Sequence, residues 1–132
     1  MRRLALSLAA LCLSEAAQAG AWTARDLGVV HRESHCVEAA VRAFEEVALS
    51  FGTGAIRVDG WAISAENVER RGYDALITCA YANAGKTRGT LAIRSETEDF
   101  GRVIAANRIE QLWRQHAKRL DGAYIDELKR RM

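Results

Sequence analysis

The amino terminus decides in which compartment the rest of this chain must fold. Two basic residues follow Met1, an apolar run extends from Leu4 to Leu13, and a small-x-small site ends at Ala19. A positive start, a short apolar stretch and such a site are typical of a secretory signal peptide. The apolar run is much shorter than the roughly 20 residues of a membrane-spanning helix. We therefore expect residues 1–19 to be cleaved and residues 20–132 to form one periplasmic or secreted domain.

Cleavage of this leader would leave two of the three cysteines, Cys36 and Cys79. An even number of cysteines in an exported chain favours a disulfide, so we expect these two residues to be bonded. Cys12 lies within the leader and is a second possible processing site, where a lipid could be attached. The bulky Leu11 before it argues against lipid attachment, and we expect none.

The charge of the mature sequence is close to zero. The whole chain has 19 Lys and Arg against 17 Asp and Glu, and the leader holds two of those bases and one of those acids, which leaves a formal charge of +1. A basic surplus would favour nucleic acid, and an acidic surplus would favour stored cations. Neither surplus is present. We expect no nucleic-acid partner and no stable membrane insertion after cleavage.

Apolar periodicity predicts the order helix, three strands, helix. The helical spacing of apolar residues from Cys36 to Phe51 indicates an amphipathic helix, with Ser34 as its N-cap and Gly52 as its end. Alternating residues predict strands over 55–63, 73–82 and 90–95, with a polar connection over 64–72.

A second, longer helix is predicted to begin near Phe100 and to be capped at Gly122, with a short helical tail over 123–132. The expected fold is a small single α+β domain. It consists of a helix, a three-stranded antiparallel meander and a long helix, with both helices packed on one face of the sheet.

The expected disulfide assigns the two faces of this sheet. If Cys79 faces a helix, period-two alternation places the same side of every strand in the core. The residues expected inside are Ile56, Val58, Ile77, Tyr81, Leu91 and Ile93, and those expected on the opposite side are Arg57, Asp59, Leu76, Thr78, Ala80, Ala82 and Arg94.

Three residues are predicted to form a partner-binding surface on that opposite side: Arg57, Trp61 and Arg94. Arg and Trp are enriched at binding hot spots. Trp61 is the least secure of the three because a bulge at Gly60 would turn it to the other face. The alternative is that residues 21–30 fold over this surface, or that water simply covers it.

Residues 80–87, AYANAGKT, resemble a phosphate-binding loop in their letters alone. Such a loop needs a helix after its Gly-Lys-Thr so that backbone N–H groups point at the anion. Here an alternating strand follows Thr87, and Asn83, Gly85 and Gly89 suit a hairpin loop. We expect no nucleotide.

The histidines are the residues that best suit metal binding or catalysis. His31, His35 and Cys36 lie close together in sequence, with His116 far along the chain, and these residue types suit zinc or copper. A disulfide would remove Cys36 as a ligand or a nucleophile, and no C-x-x-C, H-E-x-x-H or G-x-S-x-G motif is present. We therefore expect no metal, no cofactor and no catalytic residue.

Two functions remain open at this point. The first is a non-catalytic binding module, for example an inhibitor or immunity-type protein, that contacts a protein partner or a second copy of itself. The alternative is a small hydrolase-like periplasmic enzyme whose site combines His35, His116 and a carboxylate. Export, small size and the missing catalytic motifs favour the binding module.

Overall fold

Residues 20–132, the part of the chain that the computed structural model describes, form a five-stranded antiparallel sheet and two helices. The predicted leader and Cys12 lie outside the described residues. The elements in chain order are β1 (Ala21–Val30), α1 (Glu33–Phe51), β2 (Ile56–Asp59), β3 (Ala62–Val68), β4 (Tyr73–Tyr81), β5 (Thr87–Ser95) and α2 (Phe100–Arg131). The strand order across the sheet is β1-β5-β4-β3-β2. The α+β class is confirmed, but the sheet has five strands rather than three.

One of the two additional strands arises because a turn divides the segment 55–63, which was predicted to be one continuous strand. Gly60 has a φ of +58°, a backbone conformation that glycine adopts readily, and it reverses the chain between β2 and β3. The predicted strand over 55–63 is therefore a hairpin. The predicted polar connection over 64–72 is mainly the second half of β3.

The other additional strand is β1, which pairs antiparallel with β5 at one edge of the sheet. Residues 21–30 therefore extend the sheet instead of folding over it. Arg102 of α2 holds this edge in place: it is buried, and its guanidinium donates to Thr23 Oγ1 on β1 at 2.8 Å and to Ser95 Oγ on β5 at 2.7 Å.

The helix ends differ from the prediction at two of four positions. Gly52 ends α1, and α2 begins at Phe100, as predicted. Arg32, not Ser34, is the N-cap of α1, and its side chain makes no capping bond. Gly122 is not a cap, because α2 continues through it to Arg131 and includes the predicted tail.

Both helices pack on the same face of the sheet. Cys36 of α1 is bonded to Cys79 of β4, and the ring of Trp113 in α2 lies against Gly89, the cross-strand neighbour of Cys79. Trp113 is buried and donates its indole hydrogen to Cys36 O at 3.2 Å. Within the described residues neither helix is both long enough and apolar enough to cross a membrane.

The predicted core is largely the observed one, with two corrections. Ile77, Leu91 and Ile93 are fully buried. Val58 and Tyr81 were expected inside and are 54% and 78% exposed. Both alternate correctly onto the helix side, since Val58 pairs with the buried Ile63 and Tyr81 with the buried Thr87. They are exposed because Val58 lies on the edge strand β2 and Tyr81 ends β4.

Candidate functional site

Within residues 20–132, neither helix covers the sheet face turned away from them, which is here called the open face. Cross-strand pairing aligns its residues in rows. One row crosses all five strands through Ala24, Ala92, Leu76, Ser64 and Arg57, and the next crosses them through Asp26, Thr90, Thr78, Ala62 and Asp59. The middle of the face is thus made of small side chains around Leu76, with charged residues near its margins.

A groove of about 630 Å³ runs along one side of the open face. Its lining includes Leu76 and Asp74 of β4, Ser64 and Glu66 of β3, and Trp22 of β1. Since β5 lies between β1 and β4, the Trp22 side chain must reach across a whole strand to line it. Trp22 is 60% exposed and Leu76 is 37% exposed, so the groove presents an aromatic and an aliphatic surface to solvent.

Charged side chains of both signs surround the small residues of the open face. Arg88 Nη1 lies 2.6 Å from Asp26 Oδ2. The pKa of Asp26 is lowered first by the hydrogen bond from the Gly28 backbone N–H and then by the one from Arg88. Arg57 Nη2 is 4.0 Å from Glu66 Oε1, and both of these side chains are well exposed. Exposed pairs of this kind contribute little stability, so they remain available to exchange partners.

The structure places two of the three predicted binding residues on the open face. Arg57 and Arg94 lie there, each in a row with exposed or half-exposed neighbours. Trp61 does not. It lies at the β2–β3 turn and lines a small cavity with Glu33, Cys79 and Tyr81, all on the helix side. A bulge at Gly60 would have turned Trp61 to this side; the cause is instead the hairpin turn at Gly60 and Trp61.

The tryptophan of the open face is instead Trp22, which the sequence analysis missed. It is the direct cross-strand neighbour of Arg94, whose other neighbour is Asp74. The signal was present in the sequence, since aromatic and β-branched residues are enriched in strands and residues 21–30 contain Trp22, Thr23, Val29 and Val30.

Near the start of α1, His35 forms a close pair with Asp121 of α2. His35 Nδ1 lies 2.7 Å from Asp121 Oδ1, and the His31 backbone N–H donates to the same carboxylate at 3.2 Å. The Tyr124 ring meets the His35 ring edge-on at 5.6 Å. Asp121 was not singled out in the sequence, because only the tertiary fold brings the second helix to the start of the first.

His116 takes part in a second contact between the helices. It is buried, and its Nδ1 lies 2.7 Å from Arg119 Nη2. Since an Arg nitrogen can only donate, Nδ1 accepts and the remaining ring hydrogen is on Nε2, which lies 3.3 Å from Glu46 Oε1. The contact is too poorly aligned to count as a hydrogen bond.

The disulfide occupies the only thiols of the described residues, Cys36 and Cys79. Across residues 20–132, no three His, Cys, Asp or Glu side chains converge as a metal ion would require. The loop that resembles a phosphate-binding motif joins β4 to β5, with Ala84 and Gly85 at positive φ. The predicted hairpin loop is confirmed, but it ends before Thr87, and Gly89, which was predicted to lie in the loop, lies inside β5.

No protein-family model matches this sequence, and no curated protein matches it.

Proposed function

We propose that this chain is an exported binding module that docks a protein partner on the open face of its sheet. The observation that carries the proposal is the exposed pair Trp22 and Leu76 on a face that no other part of residues 20–132 covers. The five strands contain 39 residues in all, and at about 3.3 Å per residue and about 4.8 Å between strands the sheet offers roughly 600 Å². That area is close to the ~800 Å² that each partner buries in an interface of standard size.

The chemistry of the open face suits recognition by contact. Its small residues let a partner's backbone approach closely, while Trp22, Arg57 and Arg94 belong to the residue types that carry most interface energy. A face of this kind fits an inhibitor or immunity-type protein, which works by blocking another protein and needs no cofactor. The compartment is the periplasm or the exterior, consistent with the Cys36–Cys79 bond.

The docking face is tested by photo-crosslinking. A photoreactive amino acid at Thr78, in the middle of the open face, should crosslink to one partner in extracts of the producing cells. The same group at Gln115, an exposed position on α2, should not. A crosslinked dimer of this chain would identify the partner as a second copy.

Substitutions then test the face residue by residue. Trp22→Ala, Arg57→Ala and Arg94→Ala should each weaken capture of the crosslinked partner, by about tenfold for a hot-spot residue. The control is Trp61→Ala, since Trp61 is equally exposed, at 60%, but lies on the helix side. Undiminished capture by all three variants of the open face would refute the proposal.

Export is tested by the mass of the protein recovered outside the cytoplasm. We expect a chain that begins at Gly20, with a disulfide and without lipid. An acylated chain that begins at Cys12 would show membrane anchoring instead.

A second candidate function is a small hydrolase-like enzyme, because the structure joins His35 to a carboxylate, Asp121, at 2.7 Å. A paired imidazole of this kind is what general-base catalysis uses. Hydrolysis of simple ester and peptide substrates that is lost in His35→Ala and kept in His31→Ala would favour this candidate over the binding module.

A further inference from the structure

The groove on the open face has an aromatic wall, an apolar floor and an acidic side. Trp22 forms the wall and Leu76 the floor, and the carboxylates of Asp74 and Glu66 lie on the side of β3 and β4. This combination matches a side chain that is apolar along its length and cationic at its end, because such a side chain lays its stem on apolar surface and keeps its charge at the rim.

The charge of the groove lining is negative. Asp74 and Glu66 are the charged residues that line it. Arg94, the cross-strand neighbour of Asp74, does not line the groove: its side chain extends towards Gly20, with Nε 3.1 Å from where a Cβ on Gly20 would be. The one cation paired with a lining carboxylate is Arg57, at 4.0 Å from Glu66 and well exposed. An incoming cation can therefore replace solvent at Asp74 without displacing a buried pair.

We propose that this groove receives an arginine side chain of the protein partner. This inference rests on the proposed function, since it names the chemistry by which the open face recognises its partner. A guanidinium can stack on the Trp22 ring and at the same time donate two parallel hydrogen bonds to the Asp74 carboxylate. The compact ammonium of lysine is more strongly hydrated and cannot form that planar double contact.

The test uses N-acetyl-L-argininamide as the probe and follows by NMR the indole N–H of Trp22 and the backbone amides of Trp22, Asp74 and Leu76. We expect saturable shifts at Trp22, Asp74 and Leu76, with a dissociation constant in roughly the millimolar range, as for one side chain without its protein. N-acetyl-L-citrullinamide, which has the same shape without the charge, should bind several-fold more weakly.

Matched variants locate the binding. Asp74→Asn and Trp22→Ala should each weaken binding of the probe about two- to fivefold, the range for one exposed ion pair or cation–π contact. Asp59→Asn removes a carboxylate from the same face outside the groove, and Trp61→Ala removes the tryptophan on the helix side. Both controls should bind the probe like the unaltered chain.

Three outcomes overturn the inference: no saturable shift, equal binding of the citrulline probe, or equal binding of N-acetyl-L-lysinamide. Either of the first two outcomes would show that the groove does not recognise a cation. The third would show that it does not prefer arginine to lysine. These failures differ from a failure of the proposed function. If the probe does not bind but partner capture still depends on Trp22, the docking face stands and the arginine assignment falls.

Discussion

The hydroxyl of Tyr73 donates to Asp99 Oδ2 across 2.5 Å, and so joins the first residue of β4 to the residue that caps α2. The other carboxylate oxygen accepts from the Gly101 backbone N–H at 2.8 Å. A Cβ on Gly101 would lie 2.5 Å from the Tyr73 oxygen, so only glycine permits this approach. The Asp99 carboxylate thus links the start of β4 to the start of α2.

This contact shifts the pKa of both partners in opposite directions. The hydrogen bond from Tyr73, followed by the one from Gly101, lowers the pKa of Asp99. Burial, followed by the contact with Asp99, raises the pKa of Tyr73. The ionised Asp99 therefore stabilises the fold above its unfolded value near 3.9, and this contribution is lost as pH falls through its lower folded pKa. The neutral Tyr73 stabilises below about pH 10, and this contribution is lost as pH rises through its raised folded pKa.

We predict that Tyr73→Phe lowers the free energy of unfolding by about 1 kcal/mol at neutral pH, the usual value of one hydrogen bond. The deficit should shrink towards both extremes of pH, because protonation of Asp99 or ionisation of Tyr73 opposes the contact and its contribution to stability declines. Urea unfolding at about pH 3, 7 and 11 measures this. Tyr81→Phe is the control, since Tyr81 is largely exposed. A deficit that stays constant across all three pH values would contradict the assignment.

Two glycines should respond to alanine with opposite signs. A Cβ on Gly89 would lie 2.8 Å from Trp113 Cζ2 in the core, so Gly89→Ala should destabilise by about 1–3 kcal/mol through overpacking. Gly122 lies inside α2 with nothing within 4 Å of its Cβ position. Gly122→Ala should therefore stabilise by about 0.5–1 kcal/mol, because alanine favours the helix.

Thermal unfolding of the two variants measures this difference. Because both carry the same chemical change, neither composition nor the unfolded chain explains a difference in sign. Destabilisation by Gly122→Ala would show that α2 does not continue past residue 122.

The Cys36–Cys79 bond closes a loop with a sequence separation of 43. In the chain-entropy model a loop of this length stabilises by up to about 4 kcal/mol. Cys36→Ala together with Cys79→Ala should lower the free energy of unfolding by up to that amount, measured by urea unfolding. The same loss should follow reduction of the unaltered protein. Thiol titration of the folded, unreduced mature chain should find no free thiol, and two free thiols would refute the pairing.

Asp121→Ala should destabilise the fold by about 1–2 kcal/mol, because it removes the partner of both the His35 ring and the His31 backbone N–H. Asp126→Ala is the matched control on the same helix, where the side chain is exposed. Loss of stability in Asp121→Ala and not in Asp126→Ala, by thermal unfolding, would show that the His35–Asp121 pair fastens the two helices. Equal stability of both variants would contradict this role.

Local patterns in the sequence were sufficient to place several elements of this fold. The helical spacing from Cys36 to Phe51, the end at Gly52, the start at Phe100 and the alternation around Ile77 and Leu91 correspond to observed elements. These features depend on neighbours a few residues apart, and so the chain's own period reveals them. The pairing of Cys36 with Cys79 followed from there being no other cysteine after the expected leader.

The positions at the margins of the sheet could not be read in the same way. Val58 and Tyr81 alternate correctly yet are exposed, because burial depends on how far the helices extend over the sheet. Which strand forms an edge is decided by pairing between distant segments, such as β1 with β5. Period alone carries no information on that pairing.

In the candidate site too, some residues could be placed from the local sequence pattern and others only from the tertiary structure. The sequence by itself determined that Arg57 and Arg94 share the face opposite the core, since period two fixes the side of each residue within a strand. Only the tertiary structure decided that Trp22, and not Trp61, lies on that face. It also decided that Asp121 contacts His35. The turn at Gly60 places Trp61 on the helix side, and residues 86 positions apart meet only when two helices pack. These are relations between elements, and no local pattern encodes them.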